Sequence, residues 1–433
     1  MKNSIHRTRD KNLGLLELIA IALGGMVGGG IFTILGISVS MIGVFTPIAI
    51  ILGGIVAAFA SYSYIKLGVY YKAEGASYSF IKRTYPNSRF SASLVGWWVT
   101  FGYISTLALY SYTFASYAIS GFSFADNELI RKGVAGAIIL VFTLVNVWSV
   151  KGMGKIEDLM VYTKLIILLI ISFVLINNSQ TTIPKLLENN GDTTLFSILI
   201  VSSVTFVAYE GFQLVINAVN EMEDPQKNIP RAIYSAIGLA ILIYVVIAIG
   251  AILAISFDDI IANKEYALAS GANKVLGHWG NDLVVFGALL ATCSAISGTT
   301  FGASRQMAIV SQDGLFPKFL AKRNFKQIPV NAIWTMAILA FCLVLSGTLK
   351  LILEFGSITF LIVSLMMAFT NYKIKDKTKS SNIILTIAIS VLSIATFLIL
   401  FYEFKNGIEE MFFIIFVYVL LTLGAFYYSK KGI

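Results

Sequence analysis

Leu23-Gly24-Gly25-Met26-Val27-Gly28-Gly29-Gly30-Ile31-Phe32 is the stretch whose reading decides the fold of this chain. It sits inside an apolar run from Leu13 to Ile42, longer than the ~20 residues a helix needs to cross a bilayer. Five of the seven residues from Gly24 to Gly30 are glycine. At ~1 kcal/mol per glycine relative to alanine, roughly 5 kcal/mol of helix propensity is lost where water is scarcest. The run therefore predicts a helix that opens at bilayer depth. Opened backbone is tolerated there only when it is buried in protein or lines a cavity. Broken helices that aim free backbone groups at a ligand are the usual binding device of secondary transporters. Gly24 and Gly28, like Gly25 and Gly29, also have the small-xxx-small spacing of close helix packing, so a purely structural reading stands beside the functional one.

Working outward, the whole chain has the composition of a polytopic membrane protein. Its 433 residues are 57% hydrophobic and 13% charged, and the mean hydropathy is +0.81. About twelve spans are predicted, near 13–42, 46–68, 92–120, 133–150, 157–176, 195–220, 232–256, 282–307, 330–346, 350–372, 382–402 and 411–428. With the N-terminus cytoplasmic, the inner segments hold 24 Lys and Arg residues and the outer segments 7. The net charge of +9 is thus topological, placing both termini in the cytoplasm by the positive-inside rule, and it gives no reason to expect nucleic acid. The basic stretches Arg305 to Lys326 and Lys373 to Lys379 read as anchors facing anionic membrane lipid. No soluble domain interrupts the spans, so residues 1–433 are expected to form one membrane domain.

The chemistry available excludes several classes. The two cysteines, Cys293 and Cys342, lie in apolar segments, and the two histidines are His6 and His278. No catalytic residues, cofactor or metal site are expected, and the chain is not read as an enzyme. A channel is disfavoured because no filter-like loop or ring of like charges stands out.

Two ionisable residues lie within spans. Lys164, in Val161-Tyr162-Thr163-Lys164-Leu165, lies about two turns past Glu157 and Asp158. It either snorkels to the membrane face or works inside it, where a desolvated lysine can exchange a proton near physiological pH. Glu210 lies in Phe206-Val207-Ala208-Tyr209-Glu210-Gly211-Phe212-Gln213, where a glycine and a carboxylate in mid-span predict a second, weaker break. Its carboxylate either faces a ligand or is paired purely for structure. Matching breaks in two halves point to an inverted-repeat binding site. Beyond it, Asp224-Pro225-Gln226-Lys227-Asn228-Ile229-Pro230 predicts a hairpin, Pro225 ending one helix and Pro230 opening the next. The eighth span is rich in small hydroxyl residues, which usually mean helix packing; the functional alternative is a cation site facing the first break, with Ser294 and Ser297 as its candidate lining.

In these residues the chain resembles the amino acid–polyamine–organocation superfamily of permeases. The likeness rests on Gly25 to Phe32, on Phe206 to Phe212 with Glu221 and Asp224-Pro225 to Pro230-Arg231-Ala232, and on Ser304-Arg305 to Asp313-Gly314-Leu315-Phe316-Pro317. Asp224-Pro225 departs from the more usual Asn-Pro, and Glu210 from the neutral residue often found there. The resemblance implies an all-α membrane fold with a five-plus-five inverted repeat, near 13–176 and 195–372. Helices 1 and 6 would be broken, and two further helices would span about 382–428. It implies an amino acid substrate, a cationic one included. The carboxylate would be held by backbone N–H groups among Gly25, Met26, Val27, Gly28, Gly29 and Gly30. The ammonium would be held near Phe206, Tyr209, Glu210 and Gly211. Lys164 falls where proton-coupled members carry a lysine in place of a bound sodium ion. The expected activity is proton-coupled symport by alternating access. An amino acid/polyamine exchanger without ion coupling and a transporter-like sensor are the alternatives; the oligomeric state is open.

Overall fold

The computed structural model describes residues 13–148, 151–189, 193–263 and 266–431. The tail residues Lys2, Arg7, Arg9 and Lys11 and the side chains of Glu157 and Asp158 lie outside the described part. The described chain is helical, its one extended pairing being a bridge between Leu13 and Met222.

The first crossing is divided into α1 (Leu15–Met26) and α2 (Gly30–Ile42). α3 (Thr46–Tyr71) follows, then a short α4 (Ala76–Thr84), α5 (Arg89–Ile119), α6 (Glu128–Trp148) and α7 (Lys151–Asn177). After a short α8 (Ile183–Asn189), the sixth crossing consists of α9 (Leu195–Thr205) and two 3₁₀ stretches, Phe206–Tyr209 and Phe212–Ala218. α10 (Pro225–Ala254) comes next, with α11 (Phe257–Ala262) and α12 (Ala267–Leu276) in the loop that follows it. The chain continues through α13 (His278–Gln312), α14 (Val330–Ser346), α15 (Leu349–Lys373) and a single turn, α16 (Lys375–Thr378). It ends with α17 (Asn382–Asn406) and α18 (Ile408–Lys430). Ten helical stretches are long and apolar enough to cross a membrane, Gly30–Tyr71 counting as one; α1 and α14 are shorter and also apolar.

The ends obey local rules. Ser88, Thr194 and Thr348 cap α5, α9 and α15 by accepting the N–H three residues on. Pro225 begins α10, where a missing N–H costs nothing. The expectation that Pro230 opens that helix is corrected: Pro230 lies inside α10, five residues past its start. The loop helices α4, α8, α11 and α12 come in addition to the spans expected from sequence.

Burial divides the bundle into a core and a rim. The apolar window of α15 is 83% buried and that of α18 only 22%. α5 and the sixth crossing belong to the core, while α6, α17 and α18 turn residues such as Leu144, Phe397 and Phe416 outward. In a membrane those side chains meet lipid, so their exposure needs no protein partner. Both broken crossings therefore run through the protein interior, where opened backbone can find protein partners.

Candidate functional site

The break in the first crossing is narrow. Only Val27, Gly28 and Gly29 separate α1 from α2, yet a helix end leaves up to four carbonyls without partners. Here side chains from three other helices supply the donors. Lys164 Nζ donates to the carbonyl of Val27 at 2.6 Å and lies 3.4 Å from that of Gly24. The Tyr110 hydroxyl donates to Gly25 at 3.1 Å. Tyr244 stands 2.8 Å from the Met26 carbonyl and 3.0 Å from that of Ala208, so its single O–H spans both breaks.

Lys164 is fully buried and its third partner is Ser294 Oγ on α13, at 2.6 Å. Ser294 in turn donates to the Ala291 carbonyl at 3.0 Å, leaving its oxygen to accept from the ammonium. Ser297, one turn further along α13, is buried as well. Snorkelling is thereby set aside: the lysine points inward and joins α7, α1 and α13.

The N–H groups are distributed differently from the carbonyls. Val27 N–H bonds to Leu23 at 2.8 Å and Gly28 N–H to Met26 at 2.9 Å. The first closing bond of α2 runs from Thr33 N–H to Gly29 at 3.1 Å. The donors that no carbonyl of their own helix can reach are therefore those of Gly29, Gly30, Ile31 and Phe32. They point along the axis toward the break, where a helix N-terminus favours an anion. Of the candidates Gly25 to Gly30, then, Gly29 and Gly30 offer such donors, Val27 and Gly28 use theirs internally, and Gly25 and Met26 lie within α1.

The second break touches the first. Glu210 is extended (φ −69°, ψ 141°), and Gly211 adopts φ +121°, a conformation other residues rarely take. A Cβ on Gly211 would come 2.5 Å from the carbonyl carbon of Gly25, so the two backbones pack with no side chain between them. A Cβ on Gly30 would likewise meet Ala208 Cα at 3.1 Å, and one on Gly28 would meet Ala295 Cβ at 2.6 Å. The glycines both open the helix and allow close packing; the structural and functional readings of the glycine run are not exclusive.

Glu210 is buried and accepts from Gln213 Nε2 at 2.6 Å through one oxygen. Its other oxygen has no hydrogen-bond donor among the described residues. The side chain that holds Glu210 is thus Gln213, not Lys164. Phe206 is buried within the first 3₁₀ turn. Tyr209 contributes backbone only, because its hydroxyl donates to Ile50 on α3 at 2.8 Å and its ring lies 5.4 Å from that of Tyr244.

Both ends of this centre are covered. At the face where the described chain begins and ends, at Leu13 and Lys431, Asp313 accepts from Tyr78 at 2.6 Å and pairs with Lys82 at 2.7 Å, while Trp97 Nε1 donates to Leu315 at 2.9 Å. Near the same face Gly75 N–H bonds to Asn217, and Asn220 to Glu74. At the opposite face α11 and α12 pack on α2, with α12 also against α13. Among the described residues no group of three His, Cys, Asp or Glu side chains is arranged to hold a metal.

Sequence reasoning does not single out Tyr110, Tyr244 or Gln213. The available signal is weak: a tyrosine in mid-span needs a partner for its hydroxyl, but sequence does not say where. Tyr244→Phe removes a donor shared by two buried carbonyls. A loss of about 1–3 kcal/mol is expected, since unsatisfied buried acceptors keep their desolvation cost. Thermal unfolding in detergent checks this; a melting temperature equal to wild type would show that neither carbonyl depends on Tyr244.

Two broken helices in contact at the centre of a multi-helix membrane bundle define a carrier rather than an enzyme or a pore. The sequence profile of the amino acid permease family matches residues 13–426, and the chain belongs to that family. It is 30% identical over 424 residues to the inner membrane transport protein YbaT of Escherichia coli, covering 96% of each chain. A cationic amino acid transporter, number 7, of Arabidopsis thaliana is 25% identical over 83% of this chain and 64% of its own length. A methylthioribose transporter of Bacillus subtilis is 24% identical over 97% of this chain and 94% of its own.

Proposed function

We propose that this permease is a secondary active carrier of amino acids that works by alternating access and couples transport to protons through Lys164. The observation that carries the proposal is the position of Lys164 Nζ, bonded at once to the end of α1 and to Ser294 of α13. A protonated amine has three donors for these acceptors; after losing its proton it has two. The carbonyls at the end of α1 then lose part of their satisfaction, and α1 is released to move relative to α7 and α13. Substrate carboxylate is assigned to the N–H groups of Gly29, Gly30, Ile31 and Phe32, and substrate ammonium to the region of Phe206, Glu210 and Gly211. The chain ends are assigned to the cytoplasm from the 24 to 7 bias in Lys and Arg, with basic loops against anionic lipid. The repeats are taken as 13–176 and 195–372.

Uptake of a labelled amino acid mixture into sodium-free proteoliposomes, with and without an inward proton gradient, tests this. Accumulation above equilibrium only with the gradient is expected. Exchange against preloaded substrate without accumulation would replace symport by an antiporter.

Glu210 bears on the substrate. A buried carboxylate oxygen without a donor among the described residues, beside the contact of the two breaks, is a ready partner for a second positive charge. Glu210→Gln is expected to lower competition by lysine and arginine at least tenfold, ~1.4 kcal/mol, while sparing neutral amino acids. Equal losses for both classes would assign Glu210 a structural role.

A further inference from the structure

A second group of charges lies away from the broken helices, between α15, α17 and the start of α18. Glu354, in the second turn of α15, and Glu403, in the last turn of α17, are both buried. α15 packs along α17 here, so the two carboxyls are neighbours across one helix contact. Lys350 Nζ stands 3.4 Å from Glu354 Oε1 and 5.6 Å from the centre of the Tyr402 ring. Glu354 Oε2 and both Glu403 oxygens have no hydrogen-bond donor among the described residues. Glu410, partly exposed in the first turn of α18, approaches from the third side. A Cβ on Gly407 would lie 2.8 Å from Glu403 Oε2 and 3.2 Å from Glu410 Oε2. The titratable groups facing the pair are thus Lys350 from α15, Tyr402 from α17 and Glu410 from α18.

Two ionised carboxylates offer only acceptors to each other, and one lysine neutralises one of them. Burying the remaining charge against a like charge is unfavourable on both counts. The contact becomes attractive when one carboxyl keeps its proton and donates that O–H to the other. A metal ion is a poor substitute, since no three acidic or other ligating side chains among the described residues have a metal-holding arrangement.

We propose that Glu354 and Glu403 together bind one proton, at a site distinct from Lys164, and that this proton latches α17 to α15 at the face opposite the chain ends. The latch has a route to the centre. Ser357, one turn along α15 from Glu354, donates to the Val204 carbonyl at 3.1 Å, just before the second break. Gly356 faces Val207, whose Cγ2 lies 3.4 Å from the position of a Cβ there. α17 also packs on α9, through Phe196 and Phe401 with ring centres 5.8 Å apart. Loss of the proton drives the carboxylates apart and loosens α15 against the sixth crossing. The site stands whether or not Lys164 carries the coupling proton.

Infrared difference spectra of the purified full-length protein in lipid nanodiscs, recorded as pH is raised, read the proton directly. The wild type is expected to show a protonated-carboxyl band that disappears with rising pH and persists in Lys164→Met and in Glu210→Gln, which removes the buried carboxyl beside the breaks. Glu403→Gln and Glu354→Gln should each remove that band, because a carboxamide supplies the donor permanently. In both variants the melting temperature should lose the fall with rising pH expected of the wild type. If one variant fails to fold, the other carries the test. A wild type without the band, or a band that survives in a folded Gln variant that also carries Glu210→Gln, overturns the proposal.

Discussion

Uptake driven by a proton gradient falls to background in Lys164→Ala and in Lys164→Met, while exchange of preloaded substrate survives at a reduced rate. The reasoning begins with donors and acceptors. Nζ serves the carbonyls of Gly24 and Val27 and the hydroxyl of Ser294, all in the bundle interior. Removing it leaves buried acceptors without partners, at about 1–3 kcal/mol each, so the melting temperature also falls. Methionine keeps most of the apolar stem in place and restores packing without donors, whereas alanine adds a cavity. The two variants should therefore differ in stability and agree in lost coupling. Binding persists in part because the N–H groups of Gly29, Gly30, Ile31 and Phe32 lie at the start of α2, which Lys164 does not touch through any of these three bonds. Accumulation by Lys164→Met equal to wild type under the same gradient would remove the lysine from the coupling.

The helices and the first break are legible in the sequence because both are local properties. Apolar runs set the spans, and the ninth, 330–346, agrees with α14 at both ends. The weaker second break also appears, although without proline, because Gly211 needs φ +121° and Glu210 leaves the helix in extended form. The accounting of carbonyls is not local and cannot be read in this way. Tyr110 lies 85 residues from Gly25 and Tyr244 lies 218 from Met26, so nothing near either tyrosine announces its partner. The same limit explains why sequence spreads the candidate donors over Gly25 to Gly30. Sequence locates the opening, but only geometry shows that Val27 and Gly28 spend their N–H groups within it. Pro230 illustrates the converse, since a proline signals a helix start and Pro225 already supplies one.

Gly211→Ala is expected to be strongly destabilising, although it adds a single carbon, and to abolish both binding and transport. Two effects add. At φ +121° a Cβ brings backbone strain of about 1–3 kcal/mol. The added methyl would also lie 2.5 Å from the Gly25 carbonyl carbon and 2.8 Å from its Cα and oxygen. Those atoms are backbone, so no side chain can rotate away; ordinary carbon contacts are about 3.5–4.0 Å. The helices must separate by roughly an ångström, and overpacking of this kind costs about 1–3 kcal/mol or more. The sum is a large part of the roughly 5–15 kcal/mol by which folded domains exceed their unfolded states. Separation also pulls Ala208 and Met26 away from the shared Tyr244 hydroxyl, so the local damage spreads to the binding geometry. Gly238→Ala is the matched control, because nothing lies within 4 Å of its Cβ position and it sits within α10. That change should raise helix stability by up to ~1 kcal/mol, giving the same chemical edit an opposite sign. Thermal unfolding of both variants in detergent, with uptake by whichever folds, decides the matter. A Gly211→Ala protein that melts and transports like wild type would mean that the two broken helices do not meet at Gly25 and Gly211.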